Sequence, residues 1–367
     1  MPAVPRGHRS HGQLGRPRVS RPVNTVQASG PVDARLIVLV GDLTAKNGRI
    51  ARAAGTAAAV FRANGYSTQI LGTQPPEGEP GTMATWSASL QHALTDLAEA
   101  PCAVVAVGGD GMAHLVLNVL LDHAAERGTR IPFGLVPCGS GNDLARHWGT
   151  PHDDPEAAAG RILRRLDLGP IPMDLGRVRF DDGSTAWFAT ALCAGIDAAV
   201  NQRANRWKRP AGSLKYLFAL AVEVVRHPPH IYGLAVTPTP EPSESPRDLS
   251  APTPERTGSS SLQCREALMV NVANTSSIGG GLRIVPEADP TDGRLHLFVV
   301  DPLTRLRFLR LFPSIYTGDH VSVRQVEITP VSHVRITGQH VVYADGEPLG
   351  ELPVTVDGVP GAVPVLL

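Results

Sequence analysis

Ala103-Val104-Val105-Ala106-Val107-Gly108-Gly109-Asp110-Gly111-Met112 is the stretch that decides the fold. Five apolar residues without alternation suit a strand buried on both faces, as in a parallel sheet covered by helices. The run ends in glycine, and residues 112–127 follow helical spacing. A strand feeding a helix through a glycine corner is one βα unit. Glycine permits positive φ and close backbone approach. The helix start then offers free amides and positive dipole to a phosphate. Asp110 repels such an anion unless a metal ion or a proton donor stands between them. The plain alternative is a tight turn with Asp110 as the N-cap. The third glycine of a Rossmann fingerprint is missing, and no P-loop motif occurs.

The same rhythm extends to both sides. Arg35-Leu36-Ile37-Val38-Leu39-Val40 reads as a buried strand, 44–64 as an alanine-rich helix closed by Asn64-Gly65, and 66–71 as a second strand. A helix is expected over 85–99. The strand 131–136 leads into Pro137-Cys138-Gly139-Ser140-Gly141-Asn142-Asp143, where another helix opens. Ligands of such sheets sit beyond the carboxyl ends of the strands, and both glycine corners lie there. After residue 166 short strands dominate, at 173–180, 185–192, 231–236, 267–272, 294–300 and from 320 onward, interrupted by one long helix over 211–226.

The expected architecture is therefore a parallel α/β nucleotide-binding domain over 33–166, then a mainly antiparallel β-sandwich over 167–367, whose last segment is free to return to the first domain. Residues 1–32 read as a basic disordered tail without an apolar signal region. Residues 237–262, dense in Pro, Ser, Thr and Glu, read as an insertion between two strands.

Of the 367 residues 42% are hydrophobic and 19% charged, enough for a sizeable core, and formal net charge is zero. No global field draws nucleic acid. No apolar run reaches the roughly 20 residues of a membrane span. The four cysteines show no metal or redox spacing, which points to buried thiols and a reducing, cytoplasmic setting. None of the 13 histidines pair at metal spacing, and His92, His114 and His227 read as structural.

Four segments carry candidate chemistry. Beside the corner at Gly108-Gly111, the second corner adds Asn142, Asp143 and Arg146 on a helix's first turns, with Asp143 and Arg146 spaced to pair. Ala344-Asp345-Gly346-Glu347 is a hairpin turn whose carboxylates suit a base or a metal ligand. Residues 271–293 contain Asn271, the triple glycine 279–281, and a turn from Asp289 to Arg294 able to hold a hard cation or to be a plain hairpin.

In order and spacing these segments resemble the catalytic domain shared by diacylglycerol kinases, sphingosine kinases and bacterial soluble lipid kinases. That family reads GGDGT, P-x-GTGND-x-AR, N-x-x-x-GGG, A-x-x-x-DG and DGE. Met112 stands where the family has threonine, as does Ser140. The early Asn-Pro loop is replaced by Gly41-Asp42-Leu43-Thr44-Ala45-Lys46-Asn47-Gly48.

The resemblance implies transfer of the ATP γ-phosphoryl group to a lipid hydroxyl, with Mg2+ linked to Asp110 and Asp143. Glu347 is the first choice of base and Asp110 the second. Nucleotide contacts are implied at Thr44, Lys46, Gly108, Gly109, Gly111, Met112, Gly139, Ser140, Gly141 and Asn142. A structural magnesium is implied at Asp292, with carbonyls of Asp289 and Arg294. The lipid would be met at a membrane surface by a peripheral protein, and a homodimer is left open. The helix 211–226, preceded by Arg206, Trp207, Lys208 and Arg209, reads either as a membrane contact or as a core-packed helix with a basic cap. Competing readings are an NAD kinase-like enzyme, and a non-catalytic nucleotide- or lipid-binding protein on the same scaffold.

Overall fold

The computed structural model describes residues 35–73, 81–207, 214–239 and 261–367. The expected tail, most of the insertion, Lys208 and Arg209 fall outside them.

The first region alternates strand and helix: β1 Leu36–Gly41, α1 Arg49–Ala63, β2 Ser67–Gly72, α2 Met83–Thr95, β3 Ala103–Gly108, α3 Asp110–Arg127, β4 Phe133–Pro137, α4 Asp143–His147 and α5 Pro155–Leu168. Its strands are parallel in the order β2-β1-β3-β4. β1 and β3 are buried almost throughout, as their unbroken apolar runs require. α1 opens later than expected, at Arg49, because a short 3-10 turn with Asn47 and Gly48 at positive φ precedes it. α5, unanticipated, is capped by Asp154, with Pro155 at its first position.

The second region holds β5 Ile171–Phe180, β6 Thr185–Phe188, β7 Ala191–Gly195, α6 Ile196–Arg206, α7 Leu214–Arg226, β8 His230–Pro238, β9 Gln263–Ala267, β10 Met269–Ala273, β11 Leu295–Val300, α8 Arg305–Leu311, α9 Ser314–Thr317, β12 Val326–Thr337, β13 Val341–Ala344, β14 Glu347–Glu351 and β15 Val354–Val365. Its pairings are antiparallel, and its inward side chains enclose one core that includes Phe188, Tyr232, Val272, Val334 and Val356. The strand expected over 185–192 is two strands, and the stretch from 320 becomes a strand only at Val326, after a 3-10 turn over Asp319–Ser322.

β15 stitches the regions together. It runs antiparallel to β5 and β12, and its end meets β4 in parallel through Val365 and Phe133. Ala362, Val363 and Val365 join the core of the first region. None of the four cysteines is in a disulfide; Cys138 and Cys193 are buried, but Cys264 is exposed on the edge strand β9.

Candidate active site

The two glycine corners are pressed back to back at the carboxyl edge of the parallel strands. A Cβ on Gly139 would lie 2.5 Å from the Cα of Gly109, and one on Gly109 would lie 2.9 Å from the Cα of Gly139. No side chain fits between them, so the two loops present one continuous strip of backbone. Asn142 holds the second loop in shape: its Oδ1 accepts from the Gly139 amide at 2.9 Å, and its backbone is left-handed with φ 55°. Its side chain serves the loop and does not cap α4.

Three aspartates converge below this strip, Asp143 and the Asp345 carboxyl buried and Asp110 half-buried. Asp110 opens α3 after Gly109, so it is not an N-cap. One of its oxygens accepts from the Leu144 amide at 3.3 Å. Burial, and then the charge of Asp143, push its carboxyl up to about 7. Asp143 accepts from the Gly280 amide at 2.8 Å and the Gly281 amide at 2.9 Å. Burial raises its pKa while those two amides oppose the rise. The triple glycine thus serves the carboxylate of Asp143, and positive φ at Gly280 and Gly281 turns both amides onto it. The expected Asp143–Arg146 pair does not form; Arg146 donates to the Gly141 carbonyl.

Asp345 is bonded on both oxygens, by the amides of Ala189 and Thr190, the Thr190 hydroxyl at 2.5 Å and His114 Nδ1 at 3.0 Å. A carboxylate only accepts, so His114 carries its proton on Nδ1. Burial alone would raise the Asp345 pKa, but the bonds from His114, Thr190 and Ala189 outweigh it and hold the group below the usual carboxylate range. His114 is structural, as expected. Asp345 in turn fixes the β13–β14 turn that carries Glu347. Glu347 lies against the first turn of α3: a Cβ on Gly111 would come within 2.7 Å of its Oε1. Burial pushes the Glu347 carboxyl up, opposed by His114.

The remaining expected residues scatter. Gly109, Gly111, Gly139, Ser140 and Gly141 line the cavity. Met112 packs back against Gly108 and the first core, so its side chain leaves the strip. Thr44 spends its hydroxyl on Asp42 and stands outside the cavity lining, and the Lys46 side chain lies outside the described residues. At the other expected cation position, Asp289 Oδ1 accepts from Thr291 and Asp292 Oδ1 from the Arg294 amide, while the Asp289 carbonyl closes the turn. Two donors of the implied ligand set, the Asp292 carboxylate and the Asp289 carbonyl, therefore already accept hydrogen bonds. Among the described residues no three acidic, histidine or cysteine side chains are grouped to hold a metal ion.

Sequence reasoning missed several members. Asp174 ties the amides of Gly293 and Gly361 together, and Asn274 bridges the carbonyls of Asp174 and Ala189. Lys215 and Tyr216, on α7, close the cavity opposite Glu347. Burial, then the charges of Glu347, Asp110 and Asp143, raise the Tyr216 hydroxyl.

The cavity measures about 590 Å³ and has two limbs. One is the glycine strip with its acids. The other is apolar and runs between Leu220, Phe298, Phe308, Leu311, Phe312 and Ile315. Such a site suits a phosphate donor at one end and an apolar acceptor at the other.

Fold and cavity together define a parallel α/β region joined to an antiparallel β region, with a glycine strip and apolar side chains lining one cavity. The model of the diacylglycerol kinase catalytic domain matches residues 35–178, and that of the YegS C-terminal NAD kinase beta sandwich-like domain matches residues 190–367. A diacylglycerol kinase of Mycobacterium tuberculosis (strain ATCC 25618 / H37Rv) is 37% identical over 266 residues, 72% of this chain and 76% of that protein. A diacylglycerol kinase of Bacillus subtilis (strain 168) is 24% identical, covering 68% and 72%. A solved structure from Bacillus anthracis str. Sterne, proposed as a diacylglycerol kinase, superposes with a TM-score of 0.64 at 17% identity, covering 91% of this chain and 97% of that one. This chain belongs to the diacylglycerol kinase family of lipid kinases.

Proposed function

We propose that the protein transfers the γ-phosphoryl group of ATP to the hydroxyl of a lipid of the diacylglycerol or sphingoid type. The observation that carries this reading is that one cavity is lined by the side-chain-free backbone strip, by Glu347 beside Gly111, and by the side chains of an apolar limb.

Phosphoryl transfer depends on positioning and on neutralising charge. The amides of the two corners would hold the phosphates. Of the charged side chains among the described residues lining the cavity, Asp110, Asp143, Asp197, Asp345 and Glu347 are acidic and Lys215 is cationic. Lys215 is thus the side chain that offers a positive charge to the transferring group. The acids fit Mg2+ unequally. Asp143 is engaged on both oxygens by the amides of Gly280 and Gly281, whereas Asp110 is raised by a neighbouring charge that a cation would offset. Asp110 is the side chain that would hold it, with Asp143 steadying the loop. Mg2+ held there would supply positive charge to offset that of the phosphates. Glu347 takes the proton of the lipid hydroxyl as its oxygen forms the new bond to phosphorus and the bond to ADP breaks, and its raised pKa suits that task.

The test is γ-labelled ATP and Mg2+ with a panel of diacylglycerol, sphingoid base, ceramide and NAD. Label is expected in an organic-phase product. Label in NAD alone would support an NAD kinase-like enzyme, and no product from any acceptor would leave only a binding protein.

A further inference from the structure

α8 carries a face that the fold and the proposed reaction do not use. Its Phe308 is buried and lines the apolar limb. On the opposite side, 3.6 residues per turn place Leu306 and Leu309 next to each other, 59% and 54% exposed. The same periodicity sets Arg305 on one flank of this pair and Arg307 and Arg310 on the other, all exposed. None of these arginines forms an ion pair among the described residues. α7 packs against α8 and adds exposed Phe218 and Val225, and α9 adds exposed Tyr316.

Single exposed leucines are ordinary, but a cluster on neighbouring elements marks an interaction surface. Its charge selects the partner. From 302 to 326 the acidic residue is Asp319 alone, against Arg305, Arg307, Arg310 and Arg324, in a chain of zero formal net charge. Arginine stems bury along apolar surface while their heads stay at the polar boundary, the pattern of a helix lying in a membrane interface. The inner side of this helix already walls the apolar limb.

We propose that α8, with the adjoining sides of α7 and α9, is the face by which the protein docks on an anionic bilayer. This rests on the lipid-acceptor reading above. Docking there sets the apolar limb at the acyl boundary, so an acceptor passes into the cavity without crossing water.

Co-sedimentation of the full chain with vesicles tests this. Binding is expected to vesicles containing phosphatidylglycerol, to weaken with added salt, and to be much weaker with phosphatidylcholine alone. Each basic residue at an anionic surface contributes about fivefold, so R305Q/R307Q/R310Q is expected to lower binding about a hundredfold. L306S/L309S is expected to lower it on both vesicle types. Both variants should keep the wild-type thermal transition and wild-type turnover on a short-chain acceptor in detergent micelles. Vesicle binding by R305Q/R307Q/R310Q equal to wild type, equal wild-type binding to both vesicle types, or loss of micellar turnover together with vesicle binding would each overturn the proposal. Failure of the kinase reading would show separately, as no labelled product from any acceptor while vesicle binding is still measured.

Discussion

Asp110 and Asp345 line the same cavity, and their surroundings are opposite. Asp345 receives two amides, a hydroxyl and an imidazole N–H on its two oxygens, and its pKa is held down. Asp110 receives the backbone amides of Leu144 and Asn142, but burial and the charge of Asp143 outweigh them and raise it to about 7. A carboxylate whose bonds outweigh its burial builds structure. One set beside a like charge in a desolvated site holds a charge the fold itself does not stabilise, and that is a mark of function. Glu347 lies between these cases: Asp345 positions it, and burial keeps it basic enough to accept a proton.

The comparison can be broken most sharply at Glu347. Glu347→Gln is expected to lower kcat about 10²–10⁴-fold, the usual contribution of a general base, with its melting temperature little changed. Turnover within threefold of wild type would remove it from the proposed chemistry.

Asp345→Asn tests the other side. An amide there sets an NH2 group against the N–H groups of Ala189 and His114, or of Thr190, and costs about 3 kcal/mol in denaturant unfolding. The sign with pH follows from its lowered pKa: the wild-type advantage is full at neutral pH and fades as pH falls through the folded-state value. A variant as stable as wild type at pH 7 would show that these bonds do not hold the turn.

Lys215→Met is expected to raise KM for ATP about tenfold, from the loss of one charge facing the phosphates. The smallest effect is expected at Gly111→Ala. The added methyl displaces the Glu347 carboxylate, so kcat falls severalfold while stability changes by less than about 1 kcal/mol. An unchanged kcat in the Gly111→Ala enzyme would place Glu347 further from the reaction than proposed.

Much of this site is written locally in the chain. Each glycine corner ends an unbroken apolar strand, so its position at the sheet edge is readable from a dozen residues. What was not readable depends on distance in sequence. Asp174 meets Gly293 and Gly361 across 119 and 187 residues, and no local pattern announces either bond. Asp143 finds its partners at Gly280 and Gly281, 137 and 138 residues away, so the support that the triple glycine gives a carboxylate has no local signature. α5 could have been read, since Asp154 followed by Pro155 is a helix-start signal. α8 was harder: Arg305-Leu306-Arg307-Phe308 alternates with a period of two and reads as a strand until its burial is known. Lys215 and Tyr216 belong to a helix read as a membrane contact or as a core-packed helix, and their place in the cavity lining with Glu347 follows from how α7 packs.

Asp110→Asn tests the account most directly when turnover and unfolding stability are measured on the same sample at pH 8. The raised pKa means that the native state holds the charged form at a penalty that grows as pH rises from about 4 to about 7 and is complete above it. The account predicts a variant more stable than wild type by on the order of 2 kcal/mol at pH 8, with that gain shrinking toward pH 5, and with phosphoryl transfer reduced at least a hundredfold. A variant that transfers phosphate at the wild-type rate, or is less stable than wild type across this range, would contradict it.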